Sequence, residues 1–216
     1  MPNLQFKVES AKAVPFAIAP MLMLELRVEN APPDESIHTV ALRAQIQIEV
    51  MRRSYTHEER ERLHDLFGEP ERWSRTLRTM LWTHASTVIP SFKGHIVTGL
   101  QVPCSFDFNV AATKYFYGLS GGDVPLELLF SGTVFYADGG GALQVAPISW
   151  NAQARFRLPV NTWREMMDAY YPNSAWLCLH RDTFDRLYRY KMRRGMTTWE
   201  EALDSVLPAT EEELVP

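Results

Sequence analysis

The stretch that decides the fold is His38-Thr-Val-Ala-Leu-Arg-Ala-Gln-Ile-Gln-Ile-Glu-Val50. Every second residue from Val40 to Val50 is apolar, and most of the residues between them carry charged or amide side chains. A strand places successive side chains on opposite faces, so this alternation predicts a strand with one buried face and one wet face. Half-exposed strands of this kind are typical of antiparallel sheets.

The same period of two recurs before and after this stretch. Cys104 to Val110 also alternates, and the glycine-rich turn Asp138–Gly141 predicts a hairpin. Val124 to Tyr136 predicts either one long strand or two strands joined by a bulge at Ser131-Gly132. About eight strands at this spacing predict an antiparallel β-sandwich, a mainly β (α+β) fold. The other alternating segments are 4–8, 22–28, 81–89, 96–102, 143–148 and 154–158.

Two regions switch to a helical period. Thr56 with Glu59 forms a capping box, which begins a helical insertion over 56–75. Further capping boxes at Thr162 with Glu165 and at Thr198 with Glu201, with Asp182 as another cap, predict C-terminal helices. We therefore expect a sandwich over 1–160 that contains the insertion, helices over 161–208 packed on it, and a disordered tail over 209–216.

The composition narrows the class of protein. The chain has 216 residues, a net charge of −4 and two cysteines, Cys104 and Cys178. Negative charge disfavours general binding to nucleic acid or anionic membrane. Two cysteines outside any CxxC motif indicate reduced thiols. With no apolar run of transmembrane length and no signal-peptide pattern, we expect a cytoplasmic protein without a membrane span.

The motifs that could carry chemistry lack the context that each needs. Gly118-Leu-Ser-Gly-Gly122 matches a nucleophile elbow, but a predicted strand rather than a helix follows it, so a plain turn is favoured. His57 and His64 are seven residues apart, and Cys178 with His180 supplies only two of the four ligands of a zinc site. We expect no catalytic residues, metal or cofactor, and keep open an enzyme whose site is built from distant residues.

A partner surface is predicted near the C-terminus. Residues 181–194 are rich in arginine, and tryptophan, tyrosine and arginine are enriched in interface hot spots. The ordinary interpretation of such a helix is a solvated face, and RNA binding is a rival hypothesis. The candidate surface comprises Trp163, Tyr170, Tyr171, Trp176, Arg186, Arg189 and Arg193.

A recognisable set of segments comprises 40–48, 66–73, 81–85, 102–108, 124–126, 129–136 and 158–160 with Trp163. Together these segments resemble a family of uncharacterised bacterial proteins of about this length. Genes of that family are often found beside those of uptake nickel–iron hydrogenases, so the resemblance implies an accessory protein. It supplies no active-site residues. The strand from Val40 to Ile48 also resembles, more distantly, one of the export chaperone SecB, which implies client binding by the sheet.

Together these observations predict a non-catalytic interaction or assembly factor. Its expected partners are proteins, namely subunits or maturation factors of an uptake hydrogenase or its electron-transfer partner, and self-association stays open. Three alternatives remain: a small-ligand or lipid carrier with a cavity inside the sandwich, a chaperone-like client binder, and the enzyme with a distributed site.

Overall fold

A computed structural model describes residues 2–104, 110–174, 177 and 179–207. Within these ranges the chain forms nine strands and seven α-helices. The strands are β1 (Asn3–Ala13), β2 (Met21–Ala31), β3 (Ser36–Ile48), β4 (Met80–Ile89), β5 (Phe92–Lys93), β6 (His95–Pro103), β7 (Asp123–Ala137), β8 (Leu143–Pro147) and β9 (Gln153–Pro159). The helices are α1 (His57–Arg62), α2 (His64–Phe67), α3 (Trp73–Thr76), α4 (Val110–Gly118), α5 (Val160–Tyr170), α6 (Arg181–Arg194) and α7 (Trp199–Asp204).

The strands form two antiparallel sheets. In the smaller sheet β2 lies between β1 and β6. The larger sheet has the order β4-β3-β7-β8, with β5 paired to β3 and β9 paired to β7. This confirms the predicted mainly β, antiparallel fold with helices added to it.

The apolar faces of the two sheets form one core in a sandwich-like arrangement. Phe6 of β1 stacks on Phe130 of β7, with ring centroids 4.3 Å apart. In β2 the alternating residues Leu22, Leu24 and Leu26 are completely buried. Burying one such side chain contributes roughly 1.5–3 kcal/mol, so the alternation seen in the sequence is a main source of stability.

The long strand β7 is continuous and not bulged at Ser131-Gly132. Its pairing with β3 runs in unbroken register from Leu126 to Phe135. The register of this pair shifts at His38, between Ile37 and Thr39 of β3. Gly132 serves a different purpose: its φ is 142°, and a Cβ there would lie 2.0 Å from the carbonyl oxygen of Ala41. The glycine therefore allows the two backbones to approach closely.

The outer edge of the larger sheet is interrupted between β8 and β9. Both strands pair with β7. Just after β8, the Ile148 N–H still donates to the carbonyl oxygen of Gly132 at 3.0 Å. The Phe130 N–H then donates to the carbonyl oxygen of Ala152 at 2.9 Å. The residues in between form a turn that leaves Trp150 94% exposed.

The helical insertion lies where the capping box placed it. The Thr56 side chain accepts from the Glu59 N–H, and the Glu59 side chain accepts from the Thr56 N–H. Helices α1, α2 and α3 follow, with Leu63 fully buried between the first two. Gly68 ends α2 with a φ of 71°.

Three local predictions need correction. Residues 105–109 lie outside the described residues, and Val110 begins α4 instead of ending a strand. Helix α5 begins at Val160 with Pro159 as its N-cap, so Thr162 is inside the helix and does not cap it. The N-cap of α6 is His180, which places Asp182 in the first turn.

The chain divides into two compact units, Met1–Asn173 and Ser174–Pro216. The first contains both sheets and α1 to α5. The second contains α6, which ends at the left-handed Gly195, and α7, which begins with the predicted capping box of Thr198 and Glu201. Inside this unit Phe184 packs near Trp199, with ring centroids 5.2 Å apart. That these helices pack on the sandwich stays a prediction, and the tail over 209–216 lies outside the described residues.

Candidate functional site

The loop between β1 and β2 exposes two large apolar side chains. It reads Val14-Pro-Phe-Ala-Ile-Ala-Pro20 and contains no charged or hydrogen-bonding side chain. Phe16 is 102% exposed and Ile18 is 106% exposed, as much as in an unfolded peptide. Single exposed apolar residues are common on protein surfaces, but two on one uncharged loop make the tip of that loop apolar.

Both ends of this loop are held by hydrogen bonds. The Val14 N–H donates to the carbonyl oxygen of Met21 at 2.9 Å, and the Cys104 N–H donates to that of Pro20 at 2.9 Å. The Tyr170 hydroxyl of α5 donates to the carbonyl oxygen of Val14 at 3.2 Å. The base of the loop is therefore fixed on the sandwich, and its apolar tip is presented to solvent.

The backbone at Phe16 is strained. Its φ is 58°, in the left-handed region. That region costs an L-residue with a β-carbon roughly 1–2 kcal/mol. Since the side chain is fully exposed, no burial within the chain offsets this cost. Uncompensated strain of this kind is concentrated at binding and catalytic sites.

The predicted partner residues of the first unit have different environments. Trp163 is 1% exposed and stacks on Phe116 with ring centroids 4.7 Å apart, so it is a core residue with no area to offer a partner. Tyr170 and Tyr171 are half-buried, and Tyr170 touches the base of the β1–β2 loop. Trp176 lies outside the described residues.

The predicted arginines belong to the second unit. Arg186, Arg189 and Arg193 are all exposed on α6. Among described residues, none of the three guanidinium groups forms an ion pair with a carboxylate. They share one face of the helix, because residues three and seven positions apart follow the same side.

The Gly118–Gly122 turn is not a nucleophile elbow. Helix α4 precedes it and strand β7 follows it, the reverse of the order that an elbow needs. The Ser120 hydroxyl accepts a long hydrogen bond of 3.4 Å from Arg62. Instead of activating a nucleophile, the surrounding groups hold the turn by its backbone.

The group that holds this turn is a buried ion pair, which sequence reasoning missed. Arg53 donates to Glu59 at 2.7 Å, to the carbonyl oxygen of Gly121 at 2.6 Å and to that of Asp123 at 2.7 Å. The Ser120 N–H donates to Glu59 at 2.8 Å. The sequence showed Glu59 only as a helix cap, since nothing in its spacing indicates a contact with residues some sixty positions later.

The environment of Glu59 favours its charged form. The residue is 2% exposed, and burial acts to raise the pKa of its carboxyl group. The N–H groups of Ser120 and Thr56 and the Arg53 guanidinium outweigh burial and hold that pKa below its ordinary value. Glu59 therefore stays ionised at neutral pH and acts as a structural anchor instead of a general acid.

Two tyrosines lie beside this ion pair. The hydroxyls of Tyr55 and Tyr115 are 3.0 Å apart, and the Tyr55 hydroxyl donates to the carbonyl oxygen of Val50 at 2.7 Å. Burial raises the pKa of Tyr55 to about 12 and raises the pKa of Tyr115 as well. Both phenols are protonated at neutral pH, so their role is hydrogen bonding and packing.

The histidines of the helical insertion lie at the surface. His57 Nδ1 is 3.3 Å from Glu61, and His64 Nε2 is 3.3 Å from Glu69. Over the described ranges, no three side chains of the histidine, cysteine or acidic types gather as a metal-ligand set. Cys178 lies outside those ranges.

Some of the cavities lined by described residues lie on the larger sheet and the insertion. Four of them have volumes of about 380 to 610 Å³. The largest is lined by Glu49, Arg52, Pro125, Leu126, Arg155, Phe156 and Arg157. None of the four has a lining residue from β1, β2 or β6, whereas a carrier cavity inside the sandwich would need lining from both sheets.

Fold and surface together define a class: a mainly β, sandwich-like protein with an apolar loop tip and a second, helical unit with a basic face. In the part of the chain that the structure describes, no helix combines the length and apolarity needed to cross a bilayer. The chain belongs to a family of unknown function, DUF6084, whose sequence model matches residues 1–215. No curated protein matches it.

Two solved structures are similar over most of the chain. One is the solution structure of a putative late embryogenesis abundant (LEA) protein, with a TM-score of 0.32 and 17% identity, covering 74% of this chain and 73% of that one. The other is the putative ApaA protein from Bordetella pertussis, with a TM-score of 0.24 and 12% identity, covering 73% of this chain and 93% of that one. Likeness at this level carries no information about function.

Proposed function

We propose that this protein is a non-catalytic interaction factor that docks on a protein partner through the tip of its β1–β2 loop. The observation that carries the proposal is Phe16, which is fully exposed and held at a φ of 58°. In the isolated chain the backbone strain costs free energy, and the exposed ring gains none from burial. Burial of the ring in a partner's pocket would supply the missing free energy and offset the strain.

The surroundings of the loop fit an anchor. Its base is fixed by three hydrogen bonds, so the loop loses less backbone entropy on binding than a loop with free ends would. Each of Phe16 and Ile18 gains roughly 1.5–3 kcal/mol on complete burial. Together they supply enough to anchor a complex of moderate affinity, to which surrounding contacts add.

For the identity of the partner, we propose a subunit or maturation factor of an uptake hydrogenase or its electron-transfer partner. This part of the proposal is supported by the family resemblance alone. None of the four cavities described above is lined by residues of both sheets, as a carrier site inside the sandwich would need. The loop also suits self-association, which the experiment below distinguishes.

The test is quantitative affinity purification from the organism that encodes the protein. Three tagged forms are compared: the natural chain, the double variant Phe16→Asn with Ile18→Asn, and a control, Val88→Thr with Val97→Thr. Val88 and Val97 are 70% and 48% exposed on β4 and β6, so the control removes exposed apolar area at another place.

Proteins recovered with the natural chain and the control, but lost with the loop variant, would support loop-mediated docking. Hydrogenase components among them would support the proposed partner. Equal recovery of the same proteins by all three forms would refute docking through the loop. Light scattering of the purified forms tests for self-association. If the natural chain and the control are dimers and the loop variant is a monomer, the loop binds a second copy of this chain instead of another protein.

A further inference from the structure

The exposed arginines of α6 are distinguished by what the other basic residues of this helix do. Lys191 donates to the carbonyl oxygens of Met196 and Thr197 at 3.0 and 2.9 Å, which closes the C-terminal end of the helix. Arg194 lies over the ring of Tyr190, 5.2 Å from its centroid. These two cations have structural contacts within the unit.

Arg186, Arg189 and Arg193 have no comparable role. Their only described side-chain hydrogen bond is a local one, from Arg189 to the carbonyl oxygen of Asp185 at 3.1 Å. Their spacing of three and then four residues places them along one face, over a rise of about 10 Å at 1.5 Å per residue. The opposite face packs Phe184 and Tyr188 toward Trp199, so the arginine face is directed to solvent.

Acidic side chains are available in the same unit, but among described residues none of the three arginines forms an ion pair with them. Helix α7 carries Glu200, Glu201 and Asp204, but the carboxylate of Glu201 is used by the N–H groups of Thr197 and Thr198. Five of the six basic residues of α6 are arginine, whose planar fork binds carboxylates in pairs of hydrogen bonds. The stripe therefore has the chemistry of a carboxylate-binding surface.

The charge balance favours a protein over a nucleic acid. The chain has a net charge of −4, and residues 174–216 contain more acidic than basic residues. Binding to a phosphate backbone depends on a broad basic field, which such a unit lacks. A narrow row of three guanidinium groups instead matches a row of carboxylates along one side of a helix.

We propose that Arg186, Arg189 and Arg193 form a docking stripe for an acidic helix of a partner protein, with carboxylates at matching three- and four-residue spacing. The inference rests on the proposed function in that it describes a second surface of an interaction factor. The arginines and the β1–β2 loop share no residues, so either proposal can be refuted without refuting the other.

The test uses fluorescence anisotropy with the full chain and a labelled alanine-based peptide carrying glutamates spaced three and then four apart. A peptide of the same composition with its glutamates distributed around the helix, and a single-stranded RNA oligonucleotide, are the competing probes. The variant is Arg186→Gln with Arg189→Gln and Arg193→Gln. The matched control is Arg60→Gln with Arg72→Gln and Arg75→Gln, which neutralises three exposed arginines of the insertion.

We expect the peptide with its glutamates on one face to bind the natural chain at low salt. Its affinity for the stripe variant should be at least about fivefold lower, because several charge pairs are lost. The insertion control and the Phe16→Asn, Ile18→Asn variant should leave that affinity unchanged. Thermal melting verifies that each variant is folded. Absence of binding up to about 1 mM peptide, equal weakening by the insertion control, or tighter binding of RNA through the same arginines would each overturn the proposal.

Discussion

Replacing Phe16 by asparagine tests whether the backbone strain at this residue lowers the stability of the protein. Because Phe16 is 102% exposed, its removal loses no burial on folding. Its φ of 58° costs a phenylalanine roughly 1–2 kcal/mol, whereas asparagine tolerates the left-handed region at a lower cost. The variant should therefore be more stable than the natural chain by about 0.5–1.5 kcal/mol, a rise in melting temperature of about 1–5 °C.

The assay is urea unfolding of the full chain followed by tryptophan fluorescence and circular dichroism. Ile18→Asn is the matched control, since Ile18 is equally exposed but has no positive φ. That control should stay within about 0.5 kcal/mol of the natural chain, as surface substitutions usually do. Destabilisation of Phe16→Asn by more than about 1 kcal/mol, or an equal gain in both variants, would refute the strain argument.

Three further predictions concern the interior. Glu59→Gln should lower the free energy of unfolding by about 2–4 kcal/mol at pH 7, because Arg53 is left buried without its counter-charge. The lowered pKa of Glu59 means that its contribution is complete above the ordinary value of 4.5 and disappears as the pH falls through the folded value, so urea titrations below pH 4.5 should show the difference narrowing. Gly132→Ala should cost more than about 3 kcal/mol and abolish soluble expression, since its β-carbon would meet the carbonyl oxygen of Ala41. Tyr55→Phe should cost about 1–3 kcal/mol by calorimetry, and adding Tyr115→Phe should recover part of that loss because no buried hydroxyl then lacks its partner.

The long strands β2 and β3 were predictable because each has one buried face. From Val40 to Ile48 every second side chain, beginning with Val40, is buried, and the residues between them are exposed or half-buried. The same is true of β2, where Leu22, Leu24 and Leu26 face the core. The alternation is visible within a single strand, whichever strand it pairs with. The sequence therefore predicts which segments are strands but not their order in the sheets.

Helix α4 was missed for a physical reason. Its sequence, Val110-Ala-Ala-Thr-Lys-Tyr-Phe-Tyr-Gly118, is rich in residues that favour strands, and more than one of its sides is buried. A helix buried on several sides has no clear apolar stripe, so periodicity gives no signal. Tertiary packing of Tyr115 and Phe116 overrides the local preference.

The candidate site was predicted only in part. The arginines of α6 were identifiable because a basic helix is visible as a local run. The β1–β2 loop was not singled out, although seven uncharged residues between two predicted strands, including Phe16 and Ile18, were a usable signal. Trp163 was assigned to a partner surface because large aromatic residues occur both in cores and in interfaces, and only its stacking on Phe116 shows its place.

The pairing of β7 with β3 has a consequence for the order in which this protein forms. Ile46 pairs with Leu128 and Val28 pairs with Ile96, so the central contacts of both sheets join segments that are far apart in the chain. During synthesis the β1–β2 hairpin can form early, but neither sheet can be completed until much later residues have left the ribosome. Folding dominated by such distant pairings takes milliseconds to seconds, and in that interval the open edges of β2 and β3 are exposed to other nascent chains.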